Sequence, residues 1–143
     1  LENNAGHIVN ISSIFGIVSM PSQGAYNASK FAVRGFTEAL RQELCQSDVK
    51  ACCVHPGGIK TNIARAARFY RGIDGRQDAA RAAARFDKVA RTTPEQAART
   101  ILAGIKAKRP RILIGKDAHL LDWIQRLLPT SYPKVLARLL RTS

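Results

Sequence analysis

A tyrosine and a lysine four residues apart are the side chains of this sequence best suited to proton transfer. Tyr26 and Lys30 lie in the stretch YNASK, and a serine pair, Ser12 and Ser13, precedes them. On a helix, positions i and i+4 lie on the same face, so the phenol and the amine would project together. A phenol with its ordinary pKa of about 10 is a poor acid or base at neutral pH. A neighbouring ammonium favours the phenolate and brings proton transfer into an efficient range.

A serine at the carboxyl end of the preceding strand would emerge beside this pair, because ligand sites in open parallel sheets form at strand carboxyl ends. Its hydroxyl could hydrogen-bond a carbonyl oxygen and stabilise the negative charge that develops there. Ser13, Tyr26 and Lys30 therefore predict a proton-transfer site for a carbonyl/alcohol pair, although they supply no electron carrier. A Tyr-x-x-x-Lys pair alone arises by chance in many helices, so its context is needed to support the interpretation.

The elements around these residues are predicted to be a strand, a helix and a strand. Residues 6–12 are short, β-branched and bounded by glycine and serine, as in a strand buried on both faces. Residues 25–45 have apolar side chains at helical spacing, and residues 49–56 form a second apolar run that ends at Pro-Gly-Gly. This order indicates a βαβ unit with parallel strands. The predicted apolar helix face consists of Val33, Phe36, Leu40 and Leu44.

The next segment, residues 60–91, is rich in alanine and arginine and is interrupted at Gly72 and Gly75. It has helical propensity but only a weak apolar stripe, which is typical of short helices in a mobile lid. The lid contains apolar side chains that could contact an apolar or amphipathic substrate, namely Ile63, Phe69, Tyr70, Ile73 and Phe86.

A further helix, a third strand and a helical tail complete the chain. Thr93, Pro94 and Gln96 form a predicted capping box at a helix start, and residues 109–115 follow as a strand. Residues 119–143 form a basic amphipathic tail in two pieces separated by PTSYP. Its predicted apolar faces are Leu120, Leu121, Ile124, Leu127 and Leu128, then Val135, Leu136, Leu139 and Leu140.

The net charge of +13 is concentrated in two segments, residues 60–91 and residues 106–143. Such asymmetry is compatible with nucleic acid, an anionic membrane surface, an acidic substrate or a solvated basic surface. No nucleic-acid partner is expected, because the basic residues are not interleaved with aromatics and no recognition motif is present. The tail is compatible with packing on its own domain or with weak association with anionic lipid, which Trp123 and Tyr132 would favour. Its basic residues are Arg126, Lys134, Arg138 and Arg141.

The chain has three cysteines, Cys45, Cys52 and Cys53, without the spacing of a metal site or a disulfide framework. Buried free thiols and no metal are therefore expected. No apolar run is long enough to span a membrane, and the N-terminus has no signal-peptide pattern. The expected localisation is cytoplasmic, with peripheral membrane association as the alternative that the tail suggests.

The context of the tyrosine and lysine resembles the short-chain dehydrogenase/reductase family. Residues 6–44 contain a strand that ends in a serine pair followed by Tyr-x-x-x-Lys, and residues 54–61 (VHPGGIKT) contain a Pro-Gly-x-x-x-Thr loop. The resemblance is close over residues 6–61 and looser over the later helix and strand. It implies a Rossmann-like, doubly wound parallel α/β sheet, of which residues 1–118 would be the C-terminal half.

The resemblance also implies roles for individual residues. Tyr26 matches the general acid/base of the family, and Lys30 matches the residue that holds the nicotinamide ribose and favours the phenolate. Ser13, thirteen residues before Tyr26, matches the serine that orients the substrate carbonyl, and Ser12 is interpreted as its neighbour without a role. His7 and His55 are interpreted as strand residues without chemistry. The loop that contacts the nicotinamide end is matched by Pro56, Gly57, Ile59 and Thr61.

The glycine-rich turn that binds the dinucleotide pyrophosphate in this family has no counterpart in the sequence. Residues 3–6 (NNAG) look like another motif of the family, but they lie only seven residues before Ser13 and are predicted to be the turn into the first strand. The asparagine and cofactor-selecting positions of the family have no match either. The expected cofactor is therefore NAD or NADP without a choice between them.

The resulting hypothesis is an NAD(P)-dependent oxidoreductase that exchanges a hydride with a small-molecule secondary alcohol or ketone. We expect it to be a homo-oligomer when complete, and this half to be inactive alone. The alternative is a non-catalytic fragment that binds partners through its open sheet edge and helix.

Overall fold

The computed structural model describes residues 4–68 and 78–141. Three strands, β1 (Gly6–Ile11), β2 (Val49–Pro56) and β3 (Arg111–Ile114), form a parallel sheet in the order β1-β2-β3. The predicted parallel α/β arrangement is confirmed.

Helices cover both faces of this sheet, as a doubly wound fold requires. Helix α1 (Gly24–Glu43) crosses from β1 to β2, and α4 (Pro94–Lys106) crosses from β2 to β3. Alternate strand residues point to opposite faces. Val49 and Ala51 pack with Leu40 and Leu44 on the α1 side, whereas Cys52, Val54, Ile112 and Ile114 pack with Ala97 and Ile101 on the α4 side.

The inward face of α1 differs from the predicted apolar face. Thr37 is fully buried, whereas Phe36, a member of the predicted apolar face, is 64% exposed. The Thr37 hydroxyl donates to the Val33 carbonyl at 2.6 Å and accepts from the Asn10 amide of β1 at 3.0 Å. This polar contact between helix and strand turns the neighbouring Phe36 away from the sheet.

The predicted capping box of α4 is present in full. The Thr93 hydroxyl accepts from the Gln96 backbone N–H at 3.2 Å, and the Gln96 side chain accepts from the Thr93 N–H at 2.9 Å. Pro94 occupies the first helical position, where a missing N–H costs nothing.

The predicted tail consists of α5 (Lys116–Leu127) and α6 (Tyr132–Arg141). Both pack on the segment that follows β1, where Ala118 and Leu136 join Ile14, Ile17 and Val18 in one buried cluster. The predicted apolar face of α5 was partly wrong, because its outward side carries several large apolar residues. They are Leu120, Trp123 and Leu127, with Leu128 just beyond the helix end.

Asp122 lies on the inward side of α5. Its carboxylate faces inward, with its side chain 7% exposed, and it pairs with Arg111 of β3 and with Arg126, whose Nε lies 2.9 Å away. Burial lowers the pKa of Arg111, while the Asp122 carboxylate opposes this effect. The ion pair therefore joins the inward side of α5 to β3.

Within its described residues, 60–68 and 78–91, the predicted lid contains two helices, α2 (Ile63–Ala66) and α3 (Ala79–Val89). The Arg65 guanidinium joins them by donating to Asp87 at 2.6 Å. Of the predicted lid side chains, Ile63 is exposed and Phe86 is half-buried. Phe69, Tyr70, Ile73, Gly72 and Gly75 lie outside the described residues.

The three cysteines are free, and two of them follow the prediction. Cys52 and Cys53 are buried in β2, and burial is the main cause that raises the pKa of each thiol. Cys45 is exposed just beyond α1, so the prediction of burial was wrong there, because it lies in the turn between α1 and β2 rather than in a strand.

Candidate active site

The carboxyl ends of the three parallel strands meet at one edge of the sheet. Ser12 and Ser13 follow β1, Gly57 follows β2, and Gly115 follows β3. Ile11 is paired with Val54, and Pro56 with Ile114, so the segments after the strands begin side by side. Parallel sheets place ligand sites at such an edge.

Ser13 lies at this edge as the N-cap of a short 3-10 turn, Ile14–Gly16. Its hydroxyl oxygen accepts from the Phe15 N–H at 3.1 Å, and its carbonyl accepts from the Gly16 N–H at 3.0 Å. The side chain is thus oriented by the turn that it caps, and the hydroxyl proton is not used by that contact.

Ser12, interpreted from sequence as a neighbour without a role, joins β1 to α1. Its hydroxyl donates to the backbone carbonyl of Lys30 at 2.8 Å. The Lys30 ammonium in turn donates to the Ile11 carbonyl at 3.3 Å. The two contacts run between the same strand end and the same helical turn, so they fix Lys30 beside the end of β1.

Tyr26 and Lys30 lie together on α1, as the i, i+4 spacing predicts. The Lys30 Nζ atom is 5.6 Å from the centroid of the Tyr26 ring, and the Phe15 ring meets that ring edge-on at a centroid distance of 6.3 Å. Tyr26 is 42% exposed. The phenol is therefore held between an ammonium and an aromatic ring while one side stays open to solvent.

His55, interpreted as an ordinary strand residue, is fully buried next to Ser13. Its Nδ1 atom lies 2.9 Å from the Ser13 carbonyl, and because a carbonyl only accepts, Nδ1 carries the proton. Burial lowers the pKa of His55 and so favours the neutral ring. The hydrogen bond to Ser13 has the opposite, smaller effect. Its Nε2 atom has no hydrogen-bond partner within the described parts of the chain. The only sequence signal was a polar residue inside a buried strand.

The Pro-Gly loop after β2 is held on two sides. On one side the Gly57 N–H donates to the Ile114 carbonyl at 2.9 Å. On the other, the Lys60 N–H donates to the Thr92 carbonyl at 2.8 Å, and the Thr92 N–H donates to Gly58 at 3.4 Å. Ile59, between these two bonds, forms an isolated parallel bridge with Thr92. In a parallel bridge the flanking residues make the bonds, so the Ile59 amide points to the opposite side.

The remaining predicted cofactor residues lie at the ends of this loop. Pro56 is the last residue of β2. Thr61 is exposed before α2, and its hydroxyl accepts from the Ile63 N–H at 3.4 Å, a weak contact.

Asp117, which the sequence analysis did not single out, contacts the same loop from α5. Its Oδ2 atom accepts from the Gly58 N–H at 2.7 Å. An aspartate in the first turn of a helix after a strand-ending glycine was the available signal, but only the fold brings it to Gly58.

The described residues fit the nicotinamide end of a dinucleotide. The Ile59 N–H points away from Thr92, its partner in the bridge. The Lys30 ammonium has three N–H donors, and within the described residues it makes one hydrogen bond, to the Ile11 carbonyl. No counterpart of a pyrophosphate-binding turn occurs in the sequence. Within residues 4–68 and 78–141, no cluster of three or more His, Cys, Asp or Glu side chains could hold a metal ion.

A parallel sheet with helices on both faces and polar side chains at its carboxyl edge defines the class of Rossmann-like α/β proteins. The family described as short chain dehydrogenase matches residues 1–70. SadH of Mycobacterium tuberculosis, which carries the name of an oxidoreductase, is 48% identical over 140 residues, covering 96% of this chain and 49% of that protein. The chain belongs to the short-chain dehydrogenase/reductase family.

Two solved structures show the same relationship. A short-chain dehydrogenase/reductase from Burkholderia phymatum in complex with NAD has a TM-score of 0.74 and 28% identity, covering 88% of this chain and 49% of that one. A short-chain dehydrogenase from Burkholderia cenocepacia in complex with NADP has a TM-score of 0.67 and 26% identity, covering 98% of this chain and 49% of that one. The chain spans about half the length of the curated relatives that it matches.

Proposed function

We propose that this chain is the C-terminal, proton-transferring half of an NAD(P)-dependent oxidoreductase that interconverts a secondary alcohol and a ketone. The observation that carries the proposal is the Lys30 ammonium 5.6 Å from the centre of the Tyr26 ring, at the carboxyl edge of a parallel sheet. The names of the relatives and the NAD and NADP complexes of two neighbours support the reaction class. The nicotinamide, when bound, supplies or accepts the hydride.

The three proposed catalytic residues have different roles. Ser13 donates a hydrogen bond to the substrate oxygen and stabilises the charge that develops on it. Tyr26 gives a proton to that oxygen during reduction and takes it back during oxidation. Lys30 places its positive charge beside the Tyr26 ring and binds the ribose hydroxyls of the cofactor.

The loop after β2 is the proposed binding surface for the nicotinamide end. Pro56 and Gly57 direct the chain out of the sheet, the outward Ile59 amide donates to the carboxamide, and the Thr61 hydroxyl binds nearby at the carboxamide or the diphosphate. Within the described part of the predicted lid, residues 60–68 and 78–91, Ile63 and Phe86 are the proposed contacts for an apolar or amphipathic substrate.

The complete enzyme is proposed to be a cytoplasmic homo-oligomer with a longer chain, in which residues 1–118 complete the Rossmann-like domain. Exposed apolar residues on β1 and α1, Ile8, Ile11, Phe31 and Phe36, are available for burial by the rest of that chain or by a second subunit. The decisive experiment is to sequence the open reading frame upstream of Leu1 and to assay the encoded protein. A glycine-rich βαβ segment and NAD(P)H-dependent ketone reduction are expected.

The alternative function is a non-catalytic member that binds partners through the open edge of β1. An unpaired strand edge is a template for pairing with another chain. A stop codon upstream, without the glycine-rich segment, would favour this alternative over the enzyme.

A weak association of the tail with anionic lipid is proposed in addition. Leu120, Trp123 and Leu127 lie on the outward side of α5, and Trp123 is 62% exposed. Tyr132, in contrast, is half-buried, and its hydroxyl accepts from the Ser19 N–H at 3.2 Å, so it has a packing role. No helix within the described ranges is long and apolar enough to cross a bilayer.

A further inference from the structure

We propose that Asp117 is a positioning residue, which holds the Gly57–Gly58 segment so that the next amide, that of Ile59, faces the nicotinamide carboxamide. The inference rests on the proposed function for the identity of the ligand. Its structural part, the restraint of the loop by a carboxylate, stands on contacts within this chain.

The first contact is a hydrogen bond from a loop amide to a charged acceptor. Asp117 Oδ2 lies 2.7 Å from the Gly58 nitrogen. Hydrogen bonds to ionised acceptors are shorter and stronger than neutral ones. Asp117 is half-buried, which limits competition from water, and it occupies the first turn of α5, where a negative charge is favoured.

The second observation is that glycine makes room for the carboxylate on two strand ends. A Cβ atom added to Gly57 would lie 2.2 Å from Asp117 Oδ2, and one added to Gly115 would lie 2.3 Å from Oδ1. Gly115 also has a φ of +93°, a conformation that favours glycine. The carboxylate thus fills the space between the ends of β2 and β3 in contact with both glycines.

The third observation concerns the direction of Ile59. Gly58 is bonded on both sides, through its N–H to Asp117 and through its carbonyl to Thr92. The Thr92 contacts set the peptide planes before and after Ile59, and the Asp117 contact sets the plane between Gly57 and Gly58. Loss of the carboxylate would free the Gly57–Gly58 plane, from which the chain enters Ile59, while the Thr92 contacts would remain.

The main test compares Asp117→Ala with Asp117→Asn in the complete reductase. Asp117→Ala is expected to raise the KM and Kd for NAD(P)H by about tenfold, the range of a lost hydrogen bond to a charged group, with a smaller change in kcat. Asp117→Asn, which keeps an oxygen acceptor, should restore much of the affinity. Glu95→Ala is the matched control, since Glu95 is also acidic and in the first turn of a helix but is exposed.

A readout without cofactor separates this inference from the proposed function. Hydrogen exchange of the Gly58 amide, measured by NMR, should accelerate at least tenfold in Asp117→Ala and stay unchanged in Glu95→Ala. Unchanged exchange in Asp117→Ala would overturn the restraint itself. Faster exchange with unchanged cofactor Kd would overturn the link to the nicotinamide while leaving the Tyr26 chemistry to its own test.

A double-mutant cycle provides an independent check. Gly57→Ala alone should lower the Tm, because the added methyl group would overlap the Asp117 carboxylate. Gly57→Ala combined with Asp117→Ala should lose less stability than the sum of the two single changes. Strict additivity would show that the two side chains do not share this space, and the proposal would fail.

Discussion

The buried imidazole of His55 donates a hydrogen bond of 2.9 Å to the backbone carbonyl of Ser13, the proposed carbonyl-orienting serine. The contact links the end of β2 to the turn after β1, and the Gly16 N–H shares the same acceptor at 3.0 Å. A side chain outside the proposed chemistry therefore supports the backbone of one that takes part in it.

His55 should make the stability of the protein depend on pH. Burial lowers the pKa of His55 in the folded state, whereas an unfolded histidine has a pKa of about 6.5. Below that pH the unfolded chain takes up a proton that the folded chain resists, so the free energy of unfolding falls, by up to about 1.4 kcal/mol per pH unit. Urea denaturation of the complete reductase from pH 7.5 to 5.5 measures this loss.

His55→Asn is the matched variant for that measurement, because its amide can still donate to Ser13 but does not titrate. Its pH dependence should be weaker than that of the wild type between pH 6.5 and 5.5. Parallel curves for the two proteins would show that another group causes the loss. His55→Leu, which has no donor, should in addition lose about 1–3 kcal/mol at pH 7.5.

Tyr26→Phe in the complete reductase should reduce kcat by about a hundredfold or more and leave cofactor affinity nearly unchanged, because only the transferable proton is lost. Lys30→Ala should impair both turnover and cofactor binding. The control is Tyr132→Phe, which also removes a tyrosine hydroxyl. That hydroxyl accepts a hydrogen bond from the Ser19 N–H and has no proposed part in proton transfer. Retention of more than about a tenth of the rate by Tyr26→Phe would contradict the proton-transfer role.

Asp122→Ala should destabilise the complete protein by about 3–5 kcal/mol, because it leaves the Arg111 guanidinium partly buried without its partner. Asp87→Ala removes the exposed pair with Arg65 and should cost at most about 1 kcal/mol. Chemical denaturation of both variants compares them. Similar small losses would show that the Asp122 pair does not anchor α5.

This chain alone should bind neither NAD(H) nor NADP(H), since no glycine-rich turn for the pyrophosphate occurs in its sequence. Calorimetric titration with each cofactor tests the prediction, with the complete reductase as the positive control and circular dichroism as the check on folding. Stoichiometric binding by the folded chain would contradict the proposal that cofactor binding requires a glycine-rich segment outside this sequence.

The complete reductase should bind vesicles of anionic lipid weakly and neutral vesicles not at all. Each basic residue near such a surface contributes about 1 kcal/mol, and salt screens the attraction. Co-sedimentation at low and high salt measures it, and Trp123→Ser with Leu127→Ser should reduce it. Val89→Ser is the control, because Val89 is also 62% exposed but lies on α3. Equal recovery in the supernatant with both lipids would leave α5 without a role at membranes.

The elements and the proposed catalytic residues were predictable from local patterns. The three strands, the capping box at Thr93 and the pairing of Tyr26 with Lys30 depend on spacing within short segments, where strand and helix periodicity determine which side chains meet. The resemblance around Ser13 and the Pro-Gly loop added the family, because those motifs occur at characteristic distances along the chain.

Only the tertiary structure decided which polar side chains support that site. Asp117 reaches Gly58 across 59 positions, and His55 reaches Ser13 across 42, because parallel strands bring distant segments to one edge. The orientation of α1 and α5 was also decided there. Thr37 and Asp122 find partners on the sheet and turn inward, which leaves Phe36 and Trp123 exposed. Apolar periodicity groups Phe36 with Leu40 and Leu44, but a helical pattern does not show that Thr37 has a polar partner on β1.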